Sequence, residues 1–381
     1  MPITAALVLP QFLLISQLPL ADFTDNGDND WRYLGLAQFT TTMEVHTSTY
    51  TPAVIPTDRE GLADDFKMTL LADGHEYEMK GKNYIVTDIM LAHQNAGEVA
   101  YTSASDEPYG DETDDPLKVF GTDTRTPRRN NTSYPFSALL TKPFGSCSGT
   151  LVSGNVALTA GHCVFNSDSK RWLTNSWAPG PDSRDSDQTP FGVYSSCAYI
   201  YVPSKRRNGD SHVHHDFAII DFSRCTAGDA PNPGVTTGFH GMWDAPNSGI
   251  QNNYLHVYGT PSTDCPPAGC FYPTIYGTSN NSGWVKNSRE VGHRTDTSSG
   301  QSGSGVYRIF SSTTNRRRYV VGIHKGFTWD LFQGFSHNYG RKVNTSVILF
   351  SYFMPMWING TTTGLPQIQW LGLSATPPSS Q

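Results

Sequence analysis

Cys147-Ser148-Gly149-Thr150-Leu151-Val152-Ser153-Gly154-Asn155-Val156-Ala157-Leu158-Thr159-Ala160-Gly161-His162-Cys163 decides how this chain is read. Cys147 to Val152 has the composition of a strand, Ser153-Gly154-Asn155 is a turn, and Val156 to Thr159 is the return strand. The same grammar recurs downstream. His215 to Phe222 sets Phe217, Ile219 and Asp221 against Ala218 and Ile220, and Tyr254 to Gly259 follows. Val306 to Phe310 and Arg318 to His324 form a hairpin over the polar tip Ser311 to Arg317. Many short strands without helical periods predict an all-β barrel or sandwich from Val119 onward. One late helix is expected, opening near the capping residues Asn344 or Thr345 and ending before Pro355.

The hairpin ends on His162, and two further residues give that histidine a chemistry. Gly300-Gln301-Ser302-Gly303-Ser304-Gly305-Val306-Tyr307 presents a hydroxyl in a glycine-rich loop, and His215-Asp216-Phe217-Ala218 presents a carboxylate before an apolar run. Ser302 is the expected nucleophile, and it needs a base because a serine hydroxyl is barely ionised at neutral pH. His162 is that base and later the acid for the leaving amine. Asp216 fixes the imidazole tautomer, and the backbone N–H groups of Gly300 and Ser302 form the oxyanion hole. Taken singly, each residue reads as a loop serine, a packed histidine or a turn aspartate. The order His, Asp, Ser joins them.

Charge divides the chain. Residues 22–118 carry 20 Asp and Glu against 6 Lys and Arg, a net of −14; residues 119–381 carry 14 against 21, a net of +7. The acidic part is expected to be a propeptide that docks on the basic part; a solvating, disordered leader is the alternative. Residues 1–21 are apolar, uncharged and interrupted by prolines, and read as a secretory signal peptide rather than a membrane span. The expected division is therefore 1–21 signal peptide, 22–118 propeptide and 119–381 protease domain, in a secreted zymogen.

All six cysteines follow residue 118, and secretion makes disulfides their default use. A Cys147–Cys163 bridge would fix His162. Cys265 and Cys270 flank a Pro-Gly loop, and Cys197 with Cys225 pair by elimination. Asn130, Asn131, Asn280, Asn344 and Asn359 head glycosylation acceptors.

From Val119 to about Ile358 the chain resembles the chymotrypsin-fold serine proteases, most of all their glutamyl endopeptidase branch. The matching pieces are Val119 to Arg125, Tyr134 to Ala138, Cys147 to Val152, Leu158 to Cys163, Asp216 to Ile219, Asp296-Thr297, Gly300 to Ser304 and Gly322-Ile323-His324. The resemblance implies two perpendicular six-stranded β-barrels with the triad in the cleft between them. It also implies a mature N-terminus near Val119, by cleavage after Lys118, with Arg128-Arg129 as a dibasic alternative. Gln301 stands where trypsin-type enzymes have an aspartate that pairs with the new N-terminal amine, so activation should not use that ion pair. Gly305 stands where the family often has proline.

Two residues point to opposite specificities. Asp296, six before Ser302, sits where trypsin-like enzymes receive Arg or Lys. His324 and Thr297 match the residues with which glutamyl endopeptidases hold a substrate carboxylate, since imidazole N–H and hydroxyl both donate to an anion. The absence of a cysteine at Ser298 and the +7 balance favour His324, and hence cleavage after Glu or Asp. His212 and His214 are expected to share a strand face and could bind zinc, but no obvious third or fourth ligand accompanies them. The expected partners are protein or peptide substrates and the chain's own propeptide. No cofactor, metal, nucleic acid or membrane is called for, and a monomer is expected. The rival class is a catalytically silent homologue that binds a partner.

Overall fold

The structure is a computed structural model. It describes residues 31–43, 59–65, 67–79, 119–120, 122–128, 139–142, 147–173, 176–180, 189–195, 197–223, 225, 233–262, 274–287, 289–311, 316–330, 335–344, 346–348 and 350–351. The segment read as a signal peptide, the cleavage site after Lys118 and the Cys265–Cys270 pair all lie outside them.

Two large sheets dominate, as the short β-type runs predict. The ten-stranded sheet runs in the spatial order Trp31–Leu36, His75–Met79, Met68–Ala72, Tyr199–Pro203, Ala218–Asp221, Val156–Thr159, Ser148–Leu151, Leu139–Thr141, Ser176–Pro179, Tyr194–Ser195. The nine-stranded sheet runs Trp284–Asn287, Glu290–His293, Phe335–Lys342, Arg316–Asp330, Gly305–Ser311, Leu255–Gly259, Ile275–Asn280, Thr126–Arg128, with Gly241–Met242 beside Arg316–Asp330. The hairpin at 147–163 forms as read: Thr150 faces Leu158 and Leu151 faces Ala157. Gly305–Ser311 pairs with Arg316–Asp330.

The region around Asp216 departs from the reading. Strand geometry covers only Ala218–Asp221, and Val213–His215 is a 3-10 turn. His212 therefore does not share a strand face with His214. Its ring caps the turn, accepting from the His214 N–H at 3.2 Å. Ala218–Asp221 is buried on both faces, so its inward-outward alternation is lost to the strand's central place in the sheet. Near the C-terminus, residues 346–348 and 350–351 are helical. The Asn344 side chain accepts from the Ser346 hydroxyl at 2.6 Å and the Val347 N–H at 3.4 Å. Asn344 is thus a buried cap, which removes it from the exposed glycosylation acceptors.

The acidic leader does not behave as a solvating tail where it is described. Met68–Ala72 pairs with Tyr199–Pro203, joining Leu71 to Ile200 and Leu70 to Tyr201. Met68, Leu70, Leu71 and Met79 are buried in the same core as Ile200, Val202 and Ile219. A fully buried side chain of this size contributes about 1.5–3 kcal/mol. This part of the leader is held by apolar burial and backbone pairing together with the ion pairs of its buried carboxylates Asp65 and Glu76.

Candidate active site

Two connections bring the catalytic candidates together. The return strand Val156–Thr159 carries His162 on the 3-10 turn Gly161–Cys163, and the Cys147–Cys163 disulfide locks that turn to the outgoing strand. Ala218–Asp221 lies beside the same return strand and sets Asp216 under the imidazole. His162 Nδ1 and Asp216 Oδ2 are 2.9 Å apart, and the His162 backbone N–H donates to Asp216 Oδ1 at 2.7 Å. Both side chains are buried. The second expected disulfide, Cys197–Cys225, is also present.

The Ser302 loop is fastened to this hairpin. Ser148 N–H donates to the Ser302 carbonyl at 2.7 Å, and Ser148 Oγ donates to the Gly300 carbonyl at 2.8 Å. Gly303 has φ +84°, and a Cβ there would meet the Ser148 carbonyl at 2.2 Å. Only glycine permits this approach. The Ser302 hydroxyl donates to the Lys325 carbonyl at 3.1 Å. The Ser299 carbonyl accepts from Ser262 N–H at 2.5 Å. In a trans peptide the N–H points opposite to the C=O, so the Gly300 N–H is directed away from Ser262.

Gln301 does without an ion pair. Its Oε1 accepts from Ser298 N–H at 2.9 Å and from Arg125 Nη1 at 3.3 Å, while Nε2 donates to the Tyr276 carbonyl at 3.2 Å. Arg125 also bonds the Ser298 hydroxyl and pairs with Asp123. The segment after Val119 thereby braces the Ser302 loop from behind.

Asp296 has its carboxylate occupied. Oδ1 accepts from Phe120 N–H at 2.9 Å; Oδ2 accepts from Thr124 N–H at 2.9 Å and Thr124 Oγ1 at 2.6 Å. His324 and Thr297 are in the opposite condition. Both are fully buried, and among the described residues Thr297 Oγ1 and both ring nitrogens of His324 bond no side chain, with the Tyr339 backbone beside the His324 ring. Burial first, and then His162 nearby, pushes His324 down to about 3, against a smaller upward pull from the Tyr339 backbone. The imidazole is therefore a neutral donor at neutral pH.

Four functional neighbours escaped the sequence reading. Arg206 is fully buried with a guanidinium nitrogen 3.4 Å from Asp216 Oδ1, and Lys325 Nζ lies 3.8 Å from Asp216 Oδ2. Burial alone would raise Asp216, but Arg206, His162 and Lys325 together hold it well below the carboxylate range. Arg206 was hidden in Lys205-Arg206-Arg207, a run that reads as surface charge. His293 packs at a tilt against His324, with ring centroids 5.3 Å apart and planes at 58°. Burial, then His324 and His337, keep it well below its ordinary value. No local motif marks His293 or His337, because they come together only through strand pairing.

Lys142 is a further buried cation, donating to the Cys163 carbonyl at 2.7 Å. Burial lowers it from 10.5 to about 7. The unfolded chain keeps this proton to higher pH, so the penalty is full below pH 7 and fades as pH rises toward 10.5. Lys142→Met should raise the melting temperature more at pH 6 than at pH 9. An equal change at both would show that the lysine is not desolvated.

The trypsin family model matches residues 123–327, more than half of the chain, and the chain belongs to that family. The family carries the chymotrypsin-like fold expected from the sequence. Among curated proteins the chain is similar to an "Extracellular metalloprotease" of Bacillus subtilis (strain 168), 29% identical over 61% of this chain and 68% of that one. It is also similar to a "Glutamyl endopeptidase" of Bacillus licheniformis, 28% identical over 60% of this chain and 66% of that one. Among solved structures, a Glu endopeptidase in complex with MPD aligns at a TM-score of 0.45 with 23% identity, over 65% of this chain and all of that one. The protease Anisep from Arthrobacter nicotinovorans aligns at 0.40 with 18% identity, over 57% and 92%. Among the described residues, the one grouping with metal-ligand proximity is Cys147, His162 and Cys163. Its two cysteines are spent on their disulfide. No helix of the described residues is long and apolar enough to cross a membrane.

Proposed function

We propose that the chain is a secreted serine endopeptidase, made as a zymogen, that hydrolyses peptide bonds through Ser302, His162 and Asp216. Ser302 Oγ attacks the scissile carbonyl while His162 takes its proton. The acyl-enzyme forms as His162 returns that proton to the leaving amine, and water then repeats the sequence to free the acid. The N–H groups of Gly300 and Ser302 hold the oxyanion, and the commitment of the Ser299 carbonyl to Ser262 supports that orientation. The observation that carries the reading is the buried His162–Asp216 pair, with Asp216 engaging both the ring and the backbone of the histidine. The relative named as a glutamyl endopeptidase, together with the unspent donors of His324 and Thr297, supports cleavage after Glu or Asp. Domain 119–381 would be released by a cut after Lys118, with no cofactor.

One observation favours the silent-homologue reading. The Ser302 hydroxyl spends its proton on the Lys325 carbonyl and must leave it to serve the imidazole. A fluorophosphonate probe separates the two readings. Processed protein should be labelled, and Ser302→Ala should lose the label completely. Processed protein that stays unlabelled would establish a binder in place of an enzyme.

A further inference from the structure

The leader grips one short helix from outside, and that helix holds Asp216, the proposed orienting carboxylate of the triad, from inside. Ser204–Arg207 presents three cations in succession. Lys205 pairs with leader Asp65, Arg207 pairs with leader Glu76 at 2.9 Å, and Arg206 between them turns inward to Asp216. Asp65 is buried and also meets Arg289 at 2.6 Å, so one leader carboxylate ties a residue of the helix to the far sheet. Glu76 is buried and accepts from Trp172 Nε1 at 2.6 Å as well as from Arg207. Backbone contacts close the seam: Ser204 N–H donates to the Lys67 carbonyl at 2.8 Å, and Trp172 N–H to the Gln38 carbonyl at 2.8 Å.

These features are those of a subunit interface and not of a removable plug. Met68–Ala72 is buried along its whole length as an inner strand of the ten-stranded sheet, and its apolar side chains belong to the common core. A strand in that position leaves an unpaired edge and exposed core when it departs. The leader also lies entirely outside the segment matched by the family model, so it is an addition to the family's fold.

We propose that residues 31–79 remain bound after the chain is cut, as a non-covalent light chain anchored by Asp65 and Glu76 and steadying Arg206 on Asp216. The partner surface is the Tyr199–Pro203 edge with the cations Lys205, Arg207 and Arg289. The proposal rests on the reading of 119–381 as a processed protease domain, but its test does not depend on catalysis.

The experiment uses the full chain carrying Ser302→Ala, which cannot cut itself, with a site-specific protease sequence introduced after Lys118. After cleavage, the two pieces should co-elute at 1:1 in 0.15 M salt and stay together on hundredfold dilution. Asp65→Asn with Glu76→Gln should leave the uncut chain folded, by circular dichroism and elution volume, because the tether keeps the leader at high effective concentration. The cut double variant should lose its leader on the same dilution. Separation of the unsubstituted leader on cutting would overturn the proposal. Full retention by the double variant would overturn the anchoring roles of Asp65 and Glu76. Fluorophosphonate labelling of the Ser302 form reports on the protease reading alone, so failure of either idea is seen separately.

Discussion

Arg206→Met should cost about 3–5 kcal/mol of stability, the usual penalty for leaving one member of a buried ion pair without its partner. Asp216 is completely buried, and Arg206 is the first of the cations that outweigh its desolvation. Lys325 stays behind, but at 3.8 Å and with its ammonium already donating to the Ser211 carbonyl at 2.7 Å. The sign of the pH effect follows. A carboxylate held below its unfolded value adds stability above that value and loses it as pH falls through the folded one. Without Arg206 the folded value rises, so acid unfolding should begin at higher pH. In the folded fraction kcat should fall more than KM rises, since Arg206 acts on the orientation of Asp216 and not on the substrate. Gly161→Ala should move the same contact more gently, by about 1–3 kcal/mol. A Cβ at position 161 would stand 2.5 Å from Arg206 Cδ and 3.1 Å from Asp216 Oδ1. Wild-type melting and turnover in both variants would remove Arg206 from this role.

What could be read from the chain follows from the range of each interaction. The hairpin at 147–163, its disulfide and the order of the three catalytic candidates are local, so composition and spacing display them. The short strands were legible for the same reason. His212 to Asp216 misled because a run of histidines before Phe217 looks extended, whereas the His212 ring caps a 3-10 turn. Arg206 and Lys325 could not be singled out, because a buried cation beside a carboxylate from another segment has the same local signature as a solvated one. Met68 to Ala72 is a short apolar run with nothing local to name its partner. Only the Tyr199–Pro203 edge gives that patch its place in the core. Charge totals set an acidic stretch against a basic one but cannot name Asp65 and Glu76 as contacts of Lys205, Arg207 and Arg289.

His324→Ala should lower kcat/KM for peptides with Glu before the scissile bond by about 10²–10³-fold. That is the range expected when one partner of a desolvated charged hydrogen bond is truncated. Peptides with Phe at that position should change by only a few-fold. The two candidate pocket residues differ in what their polar atoms already do. Asp296 is committed to Phe120 and Thr124 through three hydrogen bonds. Receiving an arginine would require it to release the segment that braces Gln301 through Arg125. Among the described residues Thr297 Oγ1 has no hydrogen-bond partner and the His324 ring bonds no side chain, meeting only the Tyr339 backbone, so both keep donor capacity for a ligand. Because burial holds His324 at about 3, it meets the substrate as a neutral donor. The Glu preference should therefore not require acidic conditions, and the Glu-to-Phe ratio should hold from pH 6 to 8. Asp296→Asn gives the converse result: it should lower stability through the weakened 119–124 anchor and leave the preferred residue unchanged. Efficient cleavage after Arg that disappears in Asp296→Asn would reverse the assignment.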